Sequence, residues 1–154
     1  MSAVWRVAAM LALAGCAPRD GGTPRTTETP MIERLDALVT LLSTDVDADQ
    51  IRSRLTAAAL RGEVALYPEG YAVTGKPYLV ELELAAPLAV SALEGAFGAL
   101  TEGRSDRGRP RVAMFSPPER TGPFSVVVLA KVEGPGELRA ASTTRVTLRR
   151  DPKS

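Results

Sequence analysis

The sequence predicts an α+β domain. Three observations carry this reading. Apolar residues recur at helical spacing through residues 31–43 and 48–61. They alternate with polar residues at a period of two through residues 78–85 and 138–149. Phe124–Val132, FSVVVLAKV, is nearly continuous in apolar residues and is followed by the turn-forming Gly134-Pro135-Gly136. A helix repeats every 3.6 residues and a strand every two, so the two periods separate the elements. The order predicts a two-layer sandwich: an N-terminal helical hairpin and one further helix, packed on a mainly antiparallel sheet that ends in a three-strand meander. There is no internal repeat.

In residues 31–43 the side chains of Met31, Leu35, Leu38, Val39 and Leu42 share one helical face. Thr29 can cap this helix, and Pro30 suits its first turn because a first-turn N–H has no partner to lose. In residues 48–61 the stripe is Ile51, Leu55, Ala58 and Ala59. Asp47, with Gln50 three residues on, resembles a capping box, and Gly62 suits the left-handed position after the helix. The short link between the two helices predicts that they run antiparallel.

Residues 64–67 and 71–73 read as short strands around Pro68-Glu69-Gly70, a turn signal. In residues 78–85, Tyr78, Val80, Leu82 and Leu84 point one way while Glu81 and Glu83 point the other, as in a half-buried strand. Pro87 is expected to open a helix reaching residue 100, with Val90, Leu93, Phe97 and Leu100 facing the core. Gly95 and Gly98 cost that helix about 1 kcal/mol each relative to Ala. Residues 102–110, EGRSDRGRP, read as a polar loop. Arg111–Phe115 is a short strand. Phe124–Val132 is a central one, covered on both faces over part of its length. In residues 138–149 the inward set is Leu138, Ala140, Ser142, Thr144, Val146 and Leu148, against an Arg-bearing outer face.

The folded domain is thus expected over residues 30–150, with a disordered tail at 151–154. Residues 17–29, APRDGGTPRTTET, are rich in Pro, Gly and Thr and lack any hydrophobic period, which describes a flexible tether. Its root-mean-square reach is roughly 20 Å.

The chain begins MSAVWRVAAMLALAGC. Arg6 and the terminal amine give a positive start, and residues 7–14 form an apolar run. That run is far shorter than the roughly 20 residues needed to span a bilayer. Small residues and Cys16 follow at once, where a signal peptidase would cut. Leu13-Ala14-Gly15-Cys16 resembles the lipobox of bacterial lipoproteins with a type II signal peptide. The resemblance covers residues 1–16 and is complete at the four box positions. It implies removal of residues 1–15, a diacylglycerol thioether on Cys16 and N-acylation of the new terminus. Two acyl signals anchor a protein stably where one chain does so marginally. A plain secretory signal ending in Cys, or a buried N-terminal helix, is the alternative. Cys16 is the single cysteine, so no internal disulfide competes for it. Ala17 stands where an Asp would resemble an inner-membrane retention signal. In a cell with two membranes this implies the outer membrane, with the domain facing the periplasm.

Composition narrows the function. Of 154 residues, 19 are Lys or Arg and 18 are Asp or Glu, and removal of Arg6 with the leader balances them. No strong field remains to recruit nucleic acid. Aromatic residues make up only 5%, which disfavours stacking platforms for bases or sugars. The chain has no histidine, the commonest general base and metal ligand. These features predict a protein that is not an enzyme and carries no cofactor beyond the covalent lipid.

Four constellations remain as candidates. Asp45, Asp47 and Asp49 have the spacing that opens a calcium loop, but Gln50 and Thr56 stand where that loop needs Gly and a bidentate Glu. Glu81 and Glu83 lie about 7 Å apart along one strand face, a separation compatible with acid–base work. No sequence feature supplies the pocket that would set their protonation. Arg104, Arg107, Arg109 and Arg111 make a basic segment able to grip a phosphate, a carboxylated glycan or an acidic partner. Tyr67, Tyr71 and Tyr78 cluster near two turns and can line a small site with apolar bodies and polar tips. The expected function is an interaction or assembly module in the cell envelope, with an envelope protein or glycan as partner. The alternative is binding of a small ligand or cell-wall glycan, and carboxylate catalysis comes last.

Overall fold

The computed structural model describes residues 28–103 and 111–154. The fold is α+β, with three α-helices and one antiparallel sheet of six strands among these residues. The helices are α1 (Glu28–Leu42), α2 (Ala48–Ala57) and α3 (Val90–Phe97). The strands are β1 (Arg61–Leu66), β2 (Pro77–Ala89), β3 (Thr101–Gly103), β4 (Arg111–Phe115), β5 (Phe124–Val132) and β6 (Ser142–Pro152). They lie in the order β1-β2-β6-β5-β4-β3. One core joins the helices to one face of the sheet. Leu35, Leu38 and Leu42 of α1, Ile51 of α2 and Leu93 and Phe97 of α3 meet Val80, Val128 and Leu148, all essentially inaccessible to water. No helix of the described residues is long and apolar enough to cross a membrane.

Helix α1 starts at Glu28, so Pro30 lies in its first turn as expected, while Thr29 sits inside that turn rather than capping it from ahead. Helix α2 is held at its start by the capping box read from the sequence. The Gln50 amide donates to Asp47 Oδ1 (2.8 Å), and the Asp47 amide donates to Gln50 Oε1 (3.0 Å). Its end differs from expectation. The Leu60 amide reaches the Leu55 carbonyl (2.9 Å) and the Ala59 amide that of Thr56 (3.1 Å), the paired bonds of a Schellman motif. The left-handed residue is therefore Ala59 (φ 53°), not Gly62. Gly62 lies in β1 instead, for a steric reason: a Cβ there would sit 2.7 Å from Leu82 Cδ2 and 2.8 Å from the Glu81 carbonyl.

Between β1 and β2 the expected strand at 71–73 is replaced by a loop. The Tyr67 amide donates to the Lys76 carbonyl and Gly75 returns to that of Tyr67, closing the segment on itself. Strand β2 runs on through Pro87, which was expected to begin a helix. The β2–β6 register passes from Glu83↔Arg145 to Leu88↔Thr143, so four residues of β2 bulge opposite one of β6. Proline, which cannot donate to a ladder, is tolerated there. Helix α3 begins only at Val90, whose amide donates to the Ala141 carbonyl (3.0 Å). It stops at Gly98 (φ 102°) rather than reaching residue 100.

Strands β4 and β5 match the sequence reading residue for residue. In β5 the alternate residues Phe124, Val126, Val128, Ala130 and Val132 are buried, while Val127 and Leu129 are half-buried on the other face. The final segment differs from the simple alternation expected. Leu138–Ala140 is a 3-10 turn, and β6 starts at Ser142. Thr143 is buried, and its hydroxyl takes the Arg145 amide (3.1 Å) and donates to the Lys131 carbonyl (2.6 Å). This local competition with the ladder shifts the inward set to Thr143, Val146, Leu148 and Arg150. Asp151 and Pro152, expected in a tail, pair with Ser125 and Phe124.

Candidate functional site

The sheet face turned away from the helices carries outward side chains from four adjacent strands. Arg61 and Glu63 come from β1, Glu81 and Glu83 from β2, Arg145 from β6 and Lys131 from β5, and all six residues are exposed. With Thr147 they line a groove of about 350 Å³. Register places them in two rows across the sheet. One row runs Arg61, Glu83, Arg145, Lys131, and the next runs Glu63, Glu81, Thr147, Leu129. Two like-charge pairs result, each directly opposite across neighbouring strands: Glu63 with Glu81 and Lys131 with Arg145. Like charges in that relation weaken a sheet. None of these four side chains makes an ion pair or side-chain hydrogen bond among the described residues. Glu83 is different, since Arg61 Nε lies 3.9 Å from its carboxylate. The side chains of Leu79, Val127, Leu129, Val112 and Met114, all half-buried, give the same face an apolar band.

The candidates read from the sequence fare differently. Leu13, Ala14, Gly15 and Cys16 lie outside the described residues, as do Arg104, Arg107 and Arg109. Arg111 is half-buried and engaged: Nε donates to Glu102 Oε1 (3.2 Å) and a terminal nitrogen donates to the Gly136 carbonyl. Its guanidinium ties β4 to β3 and to the loop after β5. The three tyrosines do come together, with ring centroids 5.7 Å apart for Tyr67–Tyr71 and 4.7 Å for Tyr67–Tyr78. Tyr67 is buried and donates its hydroxyl to the Arg150 carbonyl. Burial, followed by the nearby Asp151 charge, raises its pKa above the usual tyrosine value. Its role is packing. Tyr71 and Leu66 are the exposed large hydrophobic residues of the described chain, 59% and 45% accessible.

The calcium spacing does not assemble. Asp45 bonds Lys76, Asp47 caps α2 and Asp49 pairs with Arg52 (3.0 Å). Among the described residues no cluster of carboxylates is placed to hold a metal ion. The Lys76 hydrogen bond, then its charge, pulls the Asp45 carboxyl below its ordinary value.

Sequence reasoning missed Arg150, the largest fully buried side chain among the described residues. Nε donates to the Leu42 carbonyl (2.7 Å), and the two terminal nitrogens donate to those of Pro77 (2.8 Å) and Thr44 (2.6 Å). Its guanidinium carbon lies 3.6 Å from the centre of the Phe124 ring. Burial lowers its pKa, partly offset by Tyr67 and Asp45, and an arginine still keeps its charge. Two of the acceptors lie at the C-terminal end of α1, where the helix dipole favours a cation. Arg150 is a structural clamp rather than a ligand group, and it shares no contact with the groove.

No family model matches the chain, and neither a curated protein nor a solved structure shows significant similarity to it.

Proposed function

We propose that this chain is a lipid-anchored protein of the cell envelope whose domain acts as a non-catalytic interaction module, with the open sheet face as its working surface. The observation that carries this is the pair of unmatched like-charge pairs, Glu63/Glu81 and Lys131/Arg145, lining one groove. The monomer gains nothing from either pair, whereas a partner of complementary charge turns both into favourable contacts and gives the encounter its specificity. The lipobox resemblance at Leu13-Ala14-Gly15-Cys16 supports the anchor, and Ala17 supports the outer membrane in a cell with two. The associated architecture is a two-layer sandwich, with a helical hairpin and a third helix behind the sheet and a meander at its end. The tether at 17–29 sets the domain off the headgroups. Membrane confinement raises the effective concentration of partners.

The test compares the full chain, extracted in detergent, with the variant carrying Glu63→Gln, Glu81→Gln, Lys131→Gln and Arg145→Gln. The reading expects species that co-purify with the native chain to be lost from the variant while both remain folded. Unchanged co-purification overturns it. A second reading, binding of a small polar ligand, is favoured by the groove's volume of about 350 Å³, which lies in the range of small-molecule sites.

A further inference from the structure

We infer that the partner of the open sheet face is a second copy of the same chain. This rests on the reading of that face as the working surface and identifies its occupant. An isologous dimer needs a surface complementary to itself, because each residue meets the partner's image of the other half of the patch. The open face has that property. Its acidic pair lies on β1 and β2, its basic pair on β5 and β6, and the β2–β6 junction runs between them. A two-fold axis lying in the interface plane, passing between the pairs and oblique to the strands, lays Glu63 and Glu81 of each copy over Lys131 and Arg145 of the other. The charged groove lining also balances, with Arg61, Lys131 and Arg145 against Glu63, Glu81 and Glu83. A partner carrying one sign of charge would satisfy one pair and repel the other.

The half-buried band of Leu79, Val127, Leu129, Val112 and Met114 supplies the apolar part of the contact. Sheets pack face to face about 10 Å apart, near enough for long charged side chains to meet across the gap. A patch four to six strands wide is roughly 15–25 Å across. That puts the interface at the small end of stable ones, which bury about 800 Å² per partner. The dimer is therefore expected to be of modest affinity and sensitive to salt.

The test is capture between two differently tagged copies of the full chain, in detergent well in excess of protein. Two variants are made, Glu63→Lys with Glu81→Lys, and Lys131→Glu with Arg145→Glu. Each keeps a like-charge pair on its strands, but Arg145 also lies opposite Glu83, so circular dichroism establishes that each variant keeps its fold before capture is read. The inference expects the native chain to capture itself. Each variant should lose self-capture by at least tenfold, the two variants should capture one another, and the chain carrying all four changes should regain self-capture. Absence of native self-capture overturns the inference, as does self-capture persisting in both two-residue variants. If native self-capture is absent while a different species still co-purifies and is lost on neutralising the four residues, self-association fails and the interaction-module reading stands.

Discussion

The Arg150 guanidinium donates to the Leu42 carbonyl at 2.7 Å, joining β6 to the end of α1 across 108 positions of chain. The same group holds the carbonyls of Thr44 and Pro77, so one side chain fixes the α1–α2 link and the start of β2 to β6. Removing it leaves the buried bonds to the Leu42 and Pro77 carbonyls and the part-buried one to Thr44 unmade, and each unsatisfied buried group costs about 1–3 kcal/mol. Arg150→Met is expected to destabilise the domain by about 3 kcal/mol or more. Arg150→Lys should recover little, because an ammonium lacks the planar fork that meets three divergent carbonyls. Urea denaturation checks both, and a loss below about 0.5 kcal/mol for Arg150→Met would contradict the clamp.

The end of α2 predicts an opposite pair of effects. Ala59 occupies a left-handed conformation that costs an L-residue about 1 kcal/mol and glycine almost nothing. Ala59→Gly is expected to stabilise by several tenths of a kcal/mol up to about 1, less the extra chain entropy of glycine. Gly62→Ala should destabilise by about 1–3 kcal/mol, since its Cβ meets the Glu81 carbonyl backbone at 2.8 Å. Thermal melts in which Ala59→Gly lowers stability, or Gly62→Ala leaves it unchanged, would refute the assignment of left-handed cap and close approach.

These two residues also mark how far the sequence could be read. Period and capping chemistry located α1, α2, β4, β5 and the Asp47–Gln50 box, because each depends on neighbours a few residues apart. Gly62 looked like a cap because local rules favour glycine after a helix, while its actual constraint is strand β2, some twenty residues on. Pro87 looked like a helix start because its tolerance in a strand depends on a bulge opposite Thr144. Arg150 was in phase with Val146 and Leu148, but reading it as inward requires the three carbonyls that receive it, which only the tertiary fold brings together. Glu81 was legible as an outward residue. Its partner Glu63, and the matching Lys131–Arg145 pair, needed the strand register.

Acid should weaken the fold in a defined way. Asp45 is pulled below its ordinary value of 3.8 by the hydrogen bond and charge of Lys76, and Glu119 below 4.5 by hydrogen bonds from Lys153 and Ser125. A carboxyl with a depressed folded-state pKa binds fewer protons folded than unfolded in the window between the two values. Its contribution is therefore present above the ordinary value and disappears as pH falls through the folded one. Urea midpoints are expected to hold steady toward neutrality and to fall below about pH 4.5, with a shallower fall in Asp45→Asn/Glu119→Gln. An equal fall in native and variant chains would show that these two carboxyls do not contribute.

The anchor makes a separate prediction. Cys16→Ser is expected to abolish incorporation of labelled fatty acid and to leave the leader unprocessed by the lipoprotein route. If the native chain takes up no label and stays soluble after cell disruption, the anchor is wrong. If it is labelled but fractionates with the inner membrane, only the sorting inferred from Ala17 fails.

Thr147 lines the groove on the open sheet face, while Ser53 is exposed on α2, away from it. The most direct measurement places a photo-activatable residue at position 147 or at position 53 of the full chain in living cells and compares the adducts formed on illumination. A discrete adduct from position 147, absent from position 53, is the expected result. Adducts from position 53 alone, or none from 147 with the protein folded and anchored, would contradict the claim that the open sheet face is the surface through which this protein acts.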